Sequence, residues 1–246
     1  RKHLSSKYFY NDAGSHLFRE IMDMPEYYLT NCELEIFTNR AADIYQQLNF
    51  KGHFNLIELG AGDGLKTAEL IRYLLENKVS FTYQPIDISQ EANDLLLAKL
   101  QGQFPDLKIA PKTGDYFEVL KTLQQDSDPS LLMFIGSNIG NYQPEAARQL
   151  FTLFHQSMKT GDKLLVGVDL KKNPRTVRLA YDDPHGITKQ FNLNLLTRIN
   201  DELGGHFDVT QFDFYATYDP DSGDVKSYIV SLVDQEIEIS YIDCTF

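Results

Sequence analysis

A doubly wound, mostly parallel α/β sheet with a smaller α+β lobe is the fold this sequence predicts, on three observations. Short apolar runs alternate with helical stretches between residues 51 and 170; the first run ends in a glycine-rich turn, Gly60-Ala61-Gly62-Asp63-Gly64; and the alternation fades on both sides. Strands alternating with helices imply right-handed crossovers and a parallel sheet covered on both faces. The division expected is a helical cap over 1–50, a core over 51–170 and a lobe over 171–246.

The elements follow in order. Residues 1–50 read as helical and carry an aromatic cluster at Tyr8, Phe9, Tyr10, Tyr27 and Tyr28. HFNLIEL (53–59) is a first strand, and LKTAELIRYLLEN (65–77) a first core helix with Leu65, Ala68, Ile71, Leu74 and Leu75 at helical spacing. FTYQPIDI (81–88) is a second strand and leads to a helix over 89–101, with Ser89 placed to accept from its first N–H groups. A third strand near 107–110 runs to Gly114; a fourth, LLMFIG (131–136), precedes a helix over 144–159; a fifth, KLLVGVD (163–169), follows the Gly161 turn. Beyond residue 170 come a helix around 187–203 closed by Gly204 and Gly205, and two strand-like runs, 207–218 and 226–233, joined by the turn PDSGD.

Composition removes several function classes. The 246 residues are 42% hydrophobic and 24% charged, the make-up of a globular chain and not of a disordered or fibrous one. Lys and Arg number 23 against 35 Asp and Glu, and a net charge of −12 repels nucleic-acid phosphates and anionic lipid. With no basic run and no long apolar stretch, neither a nucleic acid nor a membrane is expected as a partner. Cys32 and Cys244 belong to no CxxC or Cys/His spacing and the N-terminus has no apolar export segment, so a reducing, cytoplasmic setting is expected. The six histidines show no HxxxH or HxH pairing, and no metal is expected. There is no G-x-S-x-G elbow and no phosphate loop, which removes the hydrolase and phosphate-loop readings. A monomer is favoured over an oligomer.

The turn after the first strand carries the ligand argument. Glycines there let the chain bend sharply and let a ligand approach the backbone without meeting Cβ atoms. In open α/β sheets, ligands bind beyond the carboxyl ends of the strands. The spacing is G-x-G-x-G over Gly60, Gly62 and Gly64, with Glu58 two residues before the first glycine, and all four are expected to bind the cofactor. A dinucleotide site uses G-x-G-x-x-G; the shorter spacing belongs to enzymes that use S-adenosyl-L-methionine (SAM). Asp87 ends the second strand, where a carboxylate can grip both ribose hydroxyls. Asp115, after the third, is placed to accept from an adenine amino group, with Tyr116 stacking beside the base. The fourth strand leads into Gly136-Ser137-Asn138-Ile139-Gly140-Asn141, opposite the transferred methyl group. The Asn/Asp-Pro-Pro-aromatic motif of nucleobase-amine methylation is absent there, which together with the acidic charge balance argues against a nucleic-acid substrate. The whole reads as a Rossmann-like SAM methyltransferase.

Eight phrases in order resemble the histidine Nα-methyltransferase family of ergothioneine biosynthesis: KYFYNDAGSHLF (7–18), MPEYY (24–28), IELGAGDGLKT (57–67), PIDIS (85–89), GDY (114–116), FIGSNIGNY (134–142), GDKLLVGVDL (161–170) and AYDDPHGITKQFNLNLLTRINDELGGHFD (180–208). The resemblance implies SAM-dependent trimethylation of the α-amine of L-histidine to hercynine. It also implies that Tyr27 faces the imidazole, that Asn141 and Tyr181 hold the α-carboxylate, and that Tyr10, Phe18 and Gly136 surround the amine. Tyr10, Phe18 and Asn141 are thereby expected nearest the chemistry, while Gly60, Lys66, Asp87, Asp115 and Tyr116 contact the cofactor. The family also reads the imidazole with a C-terminal T-E-x-S motif and carries further strands. The sequence ends at Phe246 before any such motif and does not begin with Met, so a fragment of a longer polypeptide is expected. Methylation of another small amine or amino acid, or SAM binding without turnover, are the alternatives.

Overall fold

The structure is a computed structural model that describes residues 2–121 and 127–245, without the side chains of Tyr116 and Phe117. The chain forms two compact units, one of residues 29–169 and one of residues 1–28 with 170–246.

The first unit is built on five parallel strands, β1 (Phe54–Leu59), β2 (Phe81–Asp87), β3 (Lys112–Thr113), β4 (Ser130–Phe134) and β5 (Lys163–Val166), in the order β3-β2-β1-β4-β5. All six residues of β1 are buried, the mark of a central parallel strand covered on both faces. On one face Phe54, Leu56, Tyr83 and Met133 pack with Phe37 and Ala41 of α2 (Tyr28–Leu48), Ile71 and Leu74 of α3 (Thr67–Glu76) and Leu96 and Leu100 of α4 (Gln90–Gln103). On the other face Ile57, Leu59, Ile86 and Phe134 meet Leu120 of α5 (Tyr116–Leu120) and Leu150 and Phe154 of α6 (Pro144–Ser157). The period-2 alternation of side chains along β1 thus feeds two separate cores.

Three details differ from the sequence expectation. The third strand is a single bridge from Tyr83 to Ile109 followed by a two-residue strand at Lys112–Thr113. Pro111 lies between them and lacks the N–H a ladder needs. The fifth strand ends at Val166, the last residue paired with β4, and the ladder bond from the Gly167 N–H to the Phe134 carbonyl at 2.9 Å completes that pair. Helix α2, expected in an N-terminal cap, belongs from Leu29 onward to the sheet unit, since Phe37, Ala41 and Leu48 are core residues there.

In the second unit α1 (Asp12–Asp23), α7 (Pro174–Tyr181) and α8 (Ile187–Leu203) accompany an antiparallel hairpin, β6 (Phe212–Tyr218) with β7 (Val225–Ser231). The hairpin turn closes through the Asp219 N–H to the Asp224 carbonyl at 2.9 Å. A short pair, β8 (Glu238–Ile239) and β9 (Cys244–Thr245), follows. Leu196 of α8 packs with Phe207, Phe212, Ile237 and Ile239. Asp183 starts α8 by accepting from the N–H groups of Ile187 at 3.0 Å and Thr188 at 2.8 Å; Gly204, at φ +66°, ends it. Among the described residues no helix is long and apolar enough to cross a membrane.

Candidate active site

The strand order of the sheet unit reverses between β1 and β4, which is where an open α/β sheet opens a crevice at its carboxyl edge. The Gly60–Gly64 turn sits on that edge. Gly60, Gly62 and Gly64 all have left-handed backbones, at φ +67°, +57° and +69°. A Cβ built on Gly60 or Gly62 meets nothing within 4 Å, whereas one on Gly64 lies 2.6 Å from Leu96 Cδ1. The first two glycines therefore leave open space over the turn, and the third lets the turn pack on α4.

Backbone hydrogen bonds tie the neighbouring strand ends to that turn. The Gly60 N–H reaches the Ile86 carbonyl at 3.0 Å, and the Gly114 N–H reaches the Asp87 carbonyl at 2.9 Å. Gly60, Asp87 and Asp115 are thus gathered along one edge by the sheet itself. The Asp87 carboxylate is half-buried and accepts from the Ser89 N–H at 2.9 Å. Burial holds its pKa above the ordinary value, with the N–H groups of Ser89 and Ile88 opposing. Asp115 is exposed and its carbonyl accepts from Glu118 and Val119, starting α5. Tyr116 opens that helix, and its side chain lies outside the described residues.

Glu58 is placed differently from the other acids. It is 2% exposed, with Thr67 Oγ1 donating to Oε1 at 2.8 Å and Tyr83 OH donating to Oε2 at 2.5 Å. Burial pushes its pKa up to about 7, against the opposing effect of those two hydrogen bonds and of Lys66. Its carboxyl fastens β1 to β2 and to the first residue of α3, beneath the turn.

Lys66 and Gly136, both read from the sequence, meet at a residue that was not. Glu33 of α2 accepts from Lys66 Nζ at 2.6 Å and from the Gly136 N–H at 2.8 and 3.0 Å. Gly136 (φ +79°) and Ser137 (φ +52°) turn the chain away from β4 into a 3-10 turn, Asn138–Asn141, which ends at the exposed Asn141.

In the second unit, four further candidates form one chain of rings. Tyr10 packs edge-on to Phe18 at 5.4 Å, Phe18 to Tyr27 at 6.2 Å and Tyr27 to Tyr181 at 5.9 Å. These are ordinary separations for attractive edge-to-face pairs. Phe191 of α8, which the sequence reading passed over, touches Tyr10 at 5.9 Å and Phe18 at 5.8 Å and stacks on Phe9 at 4.5 Å. The signal for it lay in the phrase 180–208, where Phe191 is the one aromatic on the helix's buried stripe with Leu195.

The open backbone at Gly60 and Gly62, the carboxylates at two successive strand ends and the Lys66 ammonium suit a sulfonium nucleoside with an amino-acid tail. Among enzymes on open parallel sheets, that combination defines one class, and the chain is a SAM-dependent methyltransferase. Within that class it belongs to the family described as histidine-specific, SAM-dependent methyltransferases, whose model matches residues 1–246. It is 33% identical over 244 residues to a histidine N-alpha-methyltransferase of Mycobacterium tuberculosis, covering 99% of this chain and 75% of the relative. A protein of the same name from Mycolicibacterium smegmatis is 31% identical over 242 residues, covering 98% and 74%. Ergothioneine biosynthesis protein 1 of Schizosaccharomyces pombe is 29% identical over 237 residues, covering 93% of this chain and 31% of the relative. The chain spans about three quarters of each bacterial relative.

Proposed function

We propose that this enzyme moves methyl groups from SAM to the α-amine of free L-histidine, three in succession, giving hercynine. Two bacterial relatives matched over nearly the whole chain carry that substrate in their names. The observation that carries the reading is the unbroken ring series Tyr10, Phe18, Tyr27 and Tyr181. Aromatic faces attract a quaternary ammonium by cation–π interaction without needing an N–H to hold, so they suit a nitrogen that ends permanently charged.

SAM supplies an electrophilic methyl on a positively charged sulfur. Gly60, Gly62 and Gly64 make room for it, Asp87 takes the ribose hydroxyls, Asp115 and Tyr116 take the base, and Lys66 binds its carboxylate. Glu58 serves by holding the turn in place from below. Displacement at carbon requires the nitrogen in line with the bond that breaks, so the residues around the amino acid act mainly by fixing distance and angle. Asn141 and Tyr181 hold the α-carboxylate through amide and hydroxyl donors, Tyr27 faces the imidazole, and Gly136 leaves space beside the amine. Tyr10 and Phe18 favour the neutral amine, whose reference pKa of about 8 otherwise keeps it mostly protonated. Anchoring by the carboxylate leaves the nitrogen free to rotate between transfers. The reading includes a monomer working in the cytoplasm on a small molecule.

The test is a panel of free amino acids incubated with SAM and followed by mass spectrometry. Trimethylated histidine is the expected product; preference for another amino acid, or no product with SAM bound, overturns the assignment. Asn141→Ala raises the KM for histidine by about tenfold or more while the Kd for SAM stays within about twofold. Equal loss of both removes Asn141 from the substrate site.

A further inference from the structure

We infer that Glu33 and Lys66 together form a receptor for a zwitterion, the amino-acid end of SAM, with Glu33 taking the α-ammonium and Lys66 the α-carboxylate. This rests on the reading that SAM binds along the carboxyl edge, and adds to it a residue, Glu33, and a division of labour.

The position is the first argument. Glu33 comes from α2, Lys66 immediately precedes α3, and Gly136 lies two residues beyond β4, so three separate elements bring these groups to the reversal of strand order between β1 and β4. The side chains of Lys66 and Glu33 are only 21% and 15% exposed.

Shape is the second. A Cβ on Gly167, just past β5, would lie 2.1 Å from Glu33 Oε1, and one on Gly136 would lie 3.4 Å from Lys66 Nζ. Glycine at 167 thus clears the space that the Glu33 carboxylate occupies, while a Cβ at 136 would only touch the Lys66 ammonium. A mostly buried pair of this kind is a poor stabiliser, because desolvating two ions offsets most of their attraction. Its value is easier to account for at a ligand crevice than in a core.

Capacity is the third. A carboxylate offers about four acceptor directions and an ammonium three N–H groups. Lys66 directs one N–H to Glu33, and Glu33 accepts from Lys66 and from a single backbone N–H, so both ions retain room for one more partner of opposite charge. The other acids of the turn are committed elsewhere, Glu58 to Thr67 and Tyr83 in the core and Asp63 to Lys99 at 3.0 Å. A cation and an anion side by side match a ligand tail that carries one of each, and both new contacts are charge-assisted.

Calorimetric titration with three ligands tests the assignment: SAM, decarboxylated SAM, which keeps the amine alone, and methylthioadenosine, which has neither group. Glu33→Gln, which still accepts from Gly136, weakens SAM and decarboxylated SAM by about tenfold or more and leaves methylthioadenosine within about twofold. Lys66→Met weakens SAM alone. Binding of methylthioadenosine at the wild-type level also shows that each variant is folded around its site. Equal weakening of all three ligands by Glu33→Gln makes Glu33 a purely structural brace and overturns the proposal. Unchanged or tighter SAM binding by that variant overturns it too, since Glu33 is then a competitor for Lys66. Failure of the wild-type protein to bind any of the three overturns the cofactor site itself, a result distinct from either variant's.

Discussion

Glu58 and Asp183 are both buried carboxyls, and their surroundings drive them in opposite directions. Glu58 receives two side-chain hydroxyls, which is too little to offset complete burial, and its pKa rises from 4.5 to about 7. The folded protein therefore keeps a proton over that interval which the unfolded chain has lost, and stability falls as pH rises through it. Glu58→Gln removes this dependence. Urea unfolding at pH values from roughly 5 to 8 should show a flatter profile for the variant, with a difference on the order of 1–3 kcal/mol across the range. Burial also raises Asp183, but hydrogen bonds from Thr188, Ile187 and His185 outweigh it, and its carboxyl titrates below the ordinary range. Its contribution is full at neutral pH and is lost as the pH falls from the ordinary carboxylate value through that depressed one. Asp183→Ala should cost about 1–2 kcal/mol at pH 7, the usual size for losing a helix cap, with the loss shrinking in acid. The YDDP phrase that made the family resemblance specific thus includes a residue whose visible work is to begin a helix.

At the level of elements, legibility tracked the locality of the signal. Helix α8 was read at its observed bounds, since apolar spacing and the closing glycines lie within the segment, and Ser89 caps α4 as expected, accepting from the Ala92 N–H at 3.2 Å. The third strand was read near 107–110, where the Ile109 bridge to Tyr83 does form, but its further pairing at Lys112–Thr113 beyond Pro111 was not read, because register against β2 is not a local property. Glu33 escaped for the same reason: in sequence it is one acid on a helical surface, and only the fold sets it against Gly136, 103 positions away. Of the ring series, Tyr10, Phe18, Tyr27 and Tyr181 were named and only Phe191, which touches Tyr10 and Phe18, was missed. The glycine turn allows a sharp comparison. Gly64→Ala must repack Leu96 as well as hold a left-handed backbone, so it should lose about 2–4 kcal/mol, against about 1–2 for Gly60→Ala, where only the backbone term applies. SAM affinity should suffer more from Gly60→Ala, whose methyl enters the open space over the turn. Thermal melts and titrations on the two variants check both orderings.

For the whole molecule, a ligand that binds only the folded chain stabilises it by mass action. SAM at a hundredfold excess over its Kd contributes about 2.7 kcal/mol, which for a chain of this size is a rise in Tm of roughly 5–10 °C. A scanning melt with and without SAM measures it, and an unchanged Tm at saturating concentration contradicts cofactor binding. The order of the chain has a further consequence. Residues 29–169 make one unit by themselves, whereas the other is assembled from residues 1–28 and 170–246. During translation the sheet can close as soon as β5 has left the ribosome, while Phe9, Tyr10, Phe18 and Tyr27 wait for Tyr181 and Phe191 to emerge. Those four rings are made well before their late partners, so residues 1–28 are the part of this segment most exposed to proteases and chaperones while it is being synthesised.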